Sequence, residues 1–438
     1  MKTSLEDIST VKKKLLVEVE AEEVDRKLNE AYKDLGKRAK IHGFRPGKIP
    51  RKILEQYFGE QVVEDVARGL VSETLPAAVE ETQTYPLSMP MVENETLRAG
   101  QDFRYAAIIE VKPVFEIKDY TGLEVEKEAL SVTDEDVNQQ MEEIRRAHGT
   151  LKSLEEQRGI QENDYAVLEY EAFEGDKPLE GVKARNFMLR VGSHDFHPEF
   201  EKRLIGLKAG ETASIEVDFE EGYFHSGLAG KKVLFKVKVM DVKVMELPPL
   251  DDAFAKSLGE DFPDLEKLKS KVKEELIAKE EKRIDGALKK SLLEKISDTV
   301  DFELPESLVE SEIRLAIDNV KQNLMRMGGS MEKAGLTEAK LRQDFRPASE
   351  KRVKDLLILG EIARQNDLTI SEAELVEGFK DLAERSGQDA EVLQRYYEAK
   401  QLTEAFKEKL LEEKTLNYLV KAANISEVNA APFNHEKR

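Results

Sequence analysis

From Asp164 to Leu247 the apolar residues of this chain alternate with polar ones, and after Pro249 they recur every three or four positions. This change of period, across the double proline Pro248-Pro249, constrains the fold more than any other feature. Alternation puts neighbouring side chains on opposite faces of a strand, whereas a spacing of three to four draws one stripe along a helix. No single element satisfies both, so the chain must divide into strand-built and helix-built parts. YAVLEYEAF, NFMLRVG, ASIEVDF and VLFKVKVMDVKV read as strands separated by glycine turns, and the double proline closes them as a stiff joint. Beyond it, Leu265, Leu268, Val272, Leu276 and Ile277 open a long helix that runs past Ile296. ELPESLVESEIRLAIDNVKQNLMRM opens another, and further amphipathic helices follow as far as Ile425, after which a loose tail is expected. No fixed period joins these helices, which excludes a solenoid.

Upstream, LLVEVE (15–20) alternates like a half-buried strand. Val24, Leu28, Ala31, Tyr32, Leu35 and Ala39 then form a helical stripe. Acids in its first turns and Lys37, Arg38 and Lys40 at its end suit the helix dipole. A second stripe runs from Ile53 through Leu70, and Pro76 is expected to kink or end it. FRYAAIIEVKP (103–113) returns as a strand. Residues 114–161 read as a connector with one helix, N-capped by Thr133, whose polar run either spans solvent or packs narrowly on a neighbour. The expected fold class is therefore multidomain α+β. It comprises an α+β domain (1–113), the connector (114–161), a β-rich domain (162–247) and an all-α body (248–438).

At 438 residues the chain exceeds one core. A net charge of -21 argues against a general or sequence-specific nucleic-acid binder. Cysteine is absent, which excludes disulfides, thiolate metal sites and cysteine nucleophiles. MKTSLEDISTVKKKLL lacks the apolar core of a signal peptide, and no apolar run approaches the roughly 20 residues of a membrane span. A cytoplasmic protein without membrane partners is expected. His194 and His197, with Asp195 and Glu199, lack the third placed histidine or cysteine of a metal site. No phosphate loop, dinucleotide fingerprint or hydrolase elbow occurs, so neither metal nor other cofactor is expected.

Residues 41–50 read IHGFRPGKIP, inside a stretch from Gly36 to Leu54 that contains no acid and carries Lys37, Arg38, Lys40, Arg45, Lys48, Arg51 and Lys52. The Debye length at physiological salt is about 8 Å, so distant acids barely offset this patch. Glycines that turn and prolines that stiffen make a tip able to present Phe44 beside the Arg45 guanidinium. The alternative is a helix hairpin whose Phe44 folds back onto its own core. G-F-R-P-G-K-I-P after a helix closely resembles the ribosome-docking signature of the trigger factor family of bacterial chaperones. The resemblance extends to domain order and length. It implies that Gly43, Phe44, Arg45, Pro46, Gly47 and Lys48 meet protein and ribosomal RNA at the rim of the exit tunnel. Some family members place a lysine where this chain has Pro46.

The strands around VGSHDFHPEFEKRLIGLKAG look like the FKBP fold of peptidyl-prolyl isomerases. That chemistry needs no nucleophile, only an apolar aromatic cup that favours the twisted amide. The resemblance implies catalytic-site roles for Tyr170 and Leu179 as walls, Phe196 and His197 as rim, Phe200 as floor, and Tyr223 and Phe235 as the far side. Glu180 stands where relatives keep an acid. His197 replaces an apolar residue, Glu199 a glycine and Leu179 an aromatic, and these departures should weaken proline binding. The family also implies that the connector and the residues after about 250 form a two-armed client cradle. Leu324, Met325 and Met327 before Gly328-Gly329 read either as a soft contact patch or as ordinary core. The expected function is a chaperone, partly ribosome-bound, that holds nascent and unfolded polypeptides and assists folding and export, with isomerase activity. A non-catalytic holdase with a degenerate isomerase domain and a dedicated isomerase are the rivals, and self-association is compatible with all three.

Overall fold

The computed structural model describes residues 1–42, 44, 47–94, 96–155, 158–175, 177–221, 223 and 227–429, and only the backbone of Asn94 and Glu180. The chain forms two compact units, each discontinuous in sequence. One joins Met1–Lys127 to Gly286–Glu427, and the other is built on Glu128–Asp285.

The first unit opens with an antiparallel sheet of β1 (Lys2–Asp7), β2 (Lys12–Val19), β3 (Met91–Asn94) and β4 (Phe103–Glu110), in the order β1-β2-β4-β3. Leu15, Val17 and Val19 alternate inward from β2, and Phe103, Tyr105, Ala107 and Ile109 from β4. Over that face lie α1 (Ala21–Arg38), which buries Val24, Leu28 and Tyr32, and α2 (Arg51–Thr82). Pro76 does not end α2, which is continuous for 32 residues. An internal proline costs about 3 kcal/mol, but Leu54, Val62, Val66, Leu70 and Ala78 are buried along this helix and outweigh it. The Thr74 hydroxyl donates to the Leu70 carbonyl, one turn before the proline, and lies 2.8 Å from the Tyr105 hydroxyl.

The helical part of this unit comprises the end of α6 (Leu265–Thr299), α7 (Glu306–Arg326), α8 (Glu338–Gln365), α9 (Glu372–Ser386), α10 (Ala390–Ala399) and α11 (Thr403–Ala422). Among the described residues several small cores hold it instead of one large one, one of them Leu288 and Leu292 with Val125. The others centre on Ile296 with Ile358, Ile362 and Leu419, on Ile313 with Ile317 and Val353, and on Phe379 with Leu375 and Phe406. Met325 and Met327 are 72% and 84% exposed at the end of α7, so that patch is not core. The Ser9 and Thr10 hydroxyls donate to the Glu303 carboxylate, and the Ser307 N–H donates to Glu110, tying the sheet to α7. The chain after Ile425 is not a loose tail at first. β11 (Asn424–Val428) pairs with β5 (Glu124–Glu128), because the Asn424 N–H finds the Leu123 carbonyl at 2.9 Å.

The second unit carries a five-stranded antiparallel sheet of β6 (Thr150–Ser153), β7 (Tyr165–Glu174), β8 (Lys177–Arg190), β9 (Thr212–Asp218) and β10 (Lys232–Glu246). β10 is the central strand, with β7 along one edge and β9 then β6 along the other. The short α4 (Pro198–Leu204) joins one face, burying its Phe200 and Leu204 in a core with Val217 and Val239. In the same unit the connector helix α3 (Asp134–Ala147) starts at a capping box formed by Thr133 and Asp136. It packs narrowly, burying Val137 and Met141 with Phe254 of α5 (Asp252–Leu258) and with Leu268, Val272 and Leu276 of α6.

Candidate isomerase cup and docking turn

Period-two spacing sends every second residue of β7, β8 and β10 toward α4, and aromatic residues occupy those positions at one end of the sheet. Phe200 of α4 and Phe235 of β10 are fully buried, with ring centroids 5.2 Å apart. Phe196, on the loop before α4, lies 4.6 Å from Phe200 and 5.6 Å from Phe235. Tyr170 of β7 stands edge-on to Phe235 at 5.9 Å and to Phe187 of β8 at 5.5 Å. On the other side Phe219 bridges Phe235 at 6.1 Å and Tyr223 at 4.6 Å. Leu179 is half-buried against the same core.

The structure thus brings together Tyr170, Leu179, Phe196, His197, Phe200, Tyr223 and Phe235. Of Glu180 only the backbone is described, within β8. Phe235 shares the floor with Phe200 and is not an accessible far wall. Phe187 and Phe219 were not singled out from the sequence. Their signal was their place in NFMLRVG and ASIEVDF, where an aromatic is indistinguishable from ordinary strand core.

Burial pushes the Tyr170 phenol up, and burial followed by the Tyr170 charge does the same for Tyr223. Both hydroxyls therefore keep their protons near neutrality and can donate to an amide carbonyl entering the cup. His197 has a local structural reason. Its Nδ1 accepts the Glu199 N–H at 3.3 Å and caps α4, whose first turn is completed by Pro198 and the exposed Glu199. The imidazole lies 5.1 Å from Phe219 and 6.3 Å from Tyr223, so it also borders the cup.

At the other candidate site, Gly43, Arg45 and Pro46 lie outside the described residues. Phe44 is 39% exposed, while Ile49 is 9% exposed and belongs to the core beneath α1 and α2. Among the described residues of this turn, Ile49 folds inward and Ile41 packs partly against the same core, while Phe44 stays exposed. Gly47 has φ +81°, where a side chain is strained, and its N–H closes the hairpin on the Gly36 carbonyl at 2.8 Å. Arg51 is already engaged. Its guanidinium lies 5.0 Å from the Tyr32 ring centre, bonds Asn29 and pairs with Glu55 at 2.6 Å. Lys37 is paired with Asp34 at 2.6 Å.

Residues 1–144 match the family described as bacterial trigger factor protein, and residues 264–421 match its C-terminus. Residues 156–240 match the FKBP-type peptidyl-prolyl cis-trans isomerase family. The trigger factor of Geotalea uraniireducens is 33% identical over 98% of this chain and 99% of its own length. The chain belongs to the trigger factor family. Two further trigger factors agree: that of Geotalea daltonii, 34% identical over 98% of both chains, and that of Halalkalibacterium halodurans, 36% identical over 93% of this chain and 95% of its own. Within the trigger factor frame the aromatic cup, from Tyr170 to Phe235, falls wholly inside the FKBP-type stretch. The exposed Phe44 turn falls inside the N-terminal match.

Proposed function

We propose that this chain is a cytoplasmic, ribosome-associated chaperone that holds nascent polypeptides at the tunnel exit and turns over X-Pro bonds in its FKBP-type domain. On this reading residues 1–113 dock, 162–247 isomerise and 248–438 hold clients. The observation that carries it is the presence of both sites in one chain of trigger factor architecture: a basic turn with Phe44 outward, and an aromatic cup around Phe200 and Phe235.

An X-Pro bond rotates over a barrier of about 18–20 kcal/mol set by amide resonance. Desolvating the carbonyl in the cup and donating a phenol proton from Tyr170 or Tyr223 favour the twisted amide without any covalent step. At the turn, Phe44 supplies apolar contact to ribosomal protein, and Arg45 and Lys48 supply phosphate contacts to ribosomal RNA. Replacing Phe44, Arg45 and Lys48 with Ala should abolish cosedimentation with ribosomes while leaving circular dichroism unchanged. The wild-type chain should lose binding as salt rises, because phosphate contacts release counterions. Cosedimentation of the triple variant at full strength would refute the docking role. The polar rim at His197 and Glu199 favours a second reading, a holdase without turnover, which an isomerisation assay on a proline tetrapeptide separates.

A further inference from the structure

We infer that Glu201 is a positioning residue for the isomerase cup, holding Phe196 over the floor through the backbone of the loop that carries it. This rests on reading the cup as the isomerase site. Glu201 sits on α4 next to Phe200 and is only 2% exposed, and among the described residues it forms no ion pair. A buried carboxylate without a counter-charge is costly unless hydrogen bonds replace its water. Here three backbone N–H groups do so. Gly192 and His194 donate to one oxygen at 2.8 and 3.2 Å, and Phe196 donates to the other at 3.1 Å.

The loop needs that anchor. Gly192 and His194 both have positive φ, at +91° and +62°, and the second is strained for a histidine. Between Arg190, the last residue of β8, and Pro198 at the start of α4, this one carboxylate accepts three of the loop's backbone N–H groups. The Phe196 ring contacts Tyr170, Phe187, Phe200 and Phe235, so its position decides how the cup is closed. Glu201 touches none of the reacting atoms and acts by fixing a ring that does.

Glu201→Gln separates this role from simple packing. The amide is isosteric, and its oxygen can keep the Gly192 and His194 bonds. Its NH2 must then face the Phe196 N–H, donor against donor. Turnover of a proline tetrapeptide should fall roughly tenfold in kcat/KM, the weight of one hydrogen bond to a charged group, with circular dichroism unchanged. In a Phe196→Ala background the same change should cost nothing more. A wild-type rate in folded Glu201→Gln, or an equal loss in both backgrounds, would overturn the inference.

Hydrogen exchange on the unaltered chain gives a reading that needs no variant. The Gly192, His194 and Phe196 amides should be protected although the loop lies at the surface, and free exchange at all three would equally overturn it. A wild-type chain with no turnover would instead refute the isomerase reading, leaving the exchange result to judge Glu201 alone.

Discussion

Individual side chains in the cup separate into those that make the fold and those that shape the surface. Phe200 and Phe235 have no exposed surface, so truncating either to Ala should cost about 3–5 kcal/mol of stability. Loss of turnover in those variants will accompany loss of structure. Phe196 and Tyr223 are half-buried at the rim, and Tyr223→Ala should lower turnover of a proline tetrapeptide with a smaller change in Tm. His197 has two opposed effects. As the cap of α4 it stabilises the helix, and as a polar group beside Phe219 and Tyr223 it weakens an apolar rim. The double change His197→Ile with Glu199→Gly should therefore raise turnover while lowering stability by about 1 kcal/mol, the usual worth of an N-cap. A rate that stays level or falls in the folded double variant would show that this loop does not border bound proline. That His197 and Glu199 depart from the isomerase pattern was readable from the sequence. That they begin a helix on a cap was not, since capping depends on where the backbone turns.

Secondary-structure elements here are fixed largely by their ends. In α9, Ser371 and Glu374 form a capping box, and the Lys414 ammonium of α11 reaches the same carboxylate at 2.5 Å. Lys414, followed by the Ser371 backbone and hydroxyl, pulls the Glu374 carboxyl down from the usual 4.5 to about 2. A carboxyl lowered by folding contributes stability above its ordinary range and loses that contribution as pH falls through its folded value. The Tm gap between wild type and Glu374→Gln should therefore be open at neutral pH and close between about 4.5 and about 2. The Glu374 carboxyl 13C shift should titrate near the lower figure, and a midpoint near 4.5 would rule out the pairing. In the α1–α2 hairpin, Arg51 serves the joint by packing on Tyr32 and bonding Asn29 and Glu55. Arg51→Ala should weaken ribosome cosedimentation without changing its salt slope, whereas Lys48→Ala should reduce the slope by about one counterion. The sequence places both among the cations of one acid-free stretch, and only their neighbours distinguish them.

At the scale of the whole molecule, neither compact unit is a continuous stretch. Helices after Gly286 complete the unit that begins at Met1, and the connector helix α3 packs with α5 and the first part of α6. The sheet that holds the cup begins at β6, and Ile160 lies in its core, so its removal must start no later than residue 150. The Arg145 Nε donates to the Pro248 carbonyl at 2.7 Å, so the two ends of that segment are close and a short linker joins them. Excising residues 150–247 should retain suppression of aggregation, because the dispersed apolar surface of the helical part remains. Truncation at Leu247 should lose most of it. Light scattering of a diluted unfolded client at equal molar ratios checks both. Equal protection by the truncated chain would move the client surface into the first 247 residues.

The order of α and β parts was determined by local pattern, because periodicity and turn chemistry depend on residues a few positions apart, whereas the candidate docking turn and most of the cup residues were legible through their resemblance to known families. LLVEVE, β7 and β9 bury alternate positions as their spacing requires, and β10 does so from Val233 to Val239, where a bulge shifts the register. The short strands β1, β3, β5, β6 and β11 carry too few buried residues to show a period, and exist because a longer strand or a facing edge offers hydrogen bonds. Tertiary packing alone decided that α2 continues through Pro76, that Ile49 turns inward beneath an exposed Phe44, and that Phe187 and Phe219 join the cup. It also decided that the Glu201 carboxylate, one acid among many in the chain, is buried against three backbone N–H groups. Each of those outcomes is set by partners distant in sequence or by the path of a loop, and burial energy between such partners leaves no mark on the spacing of either one.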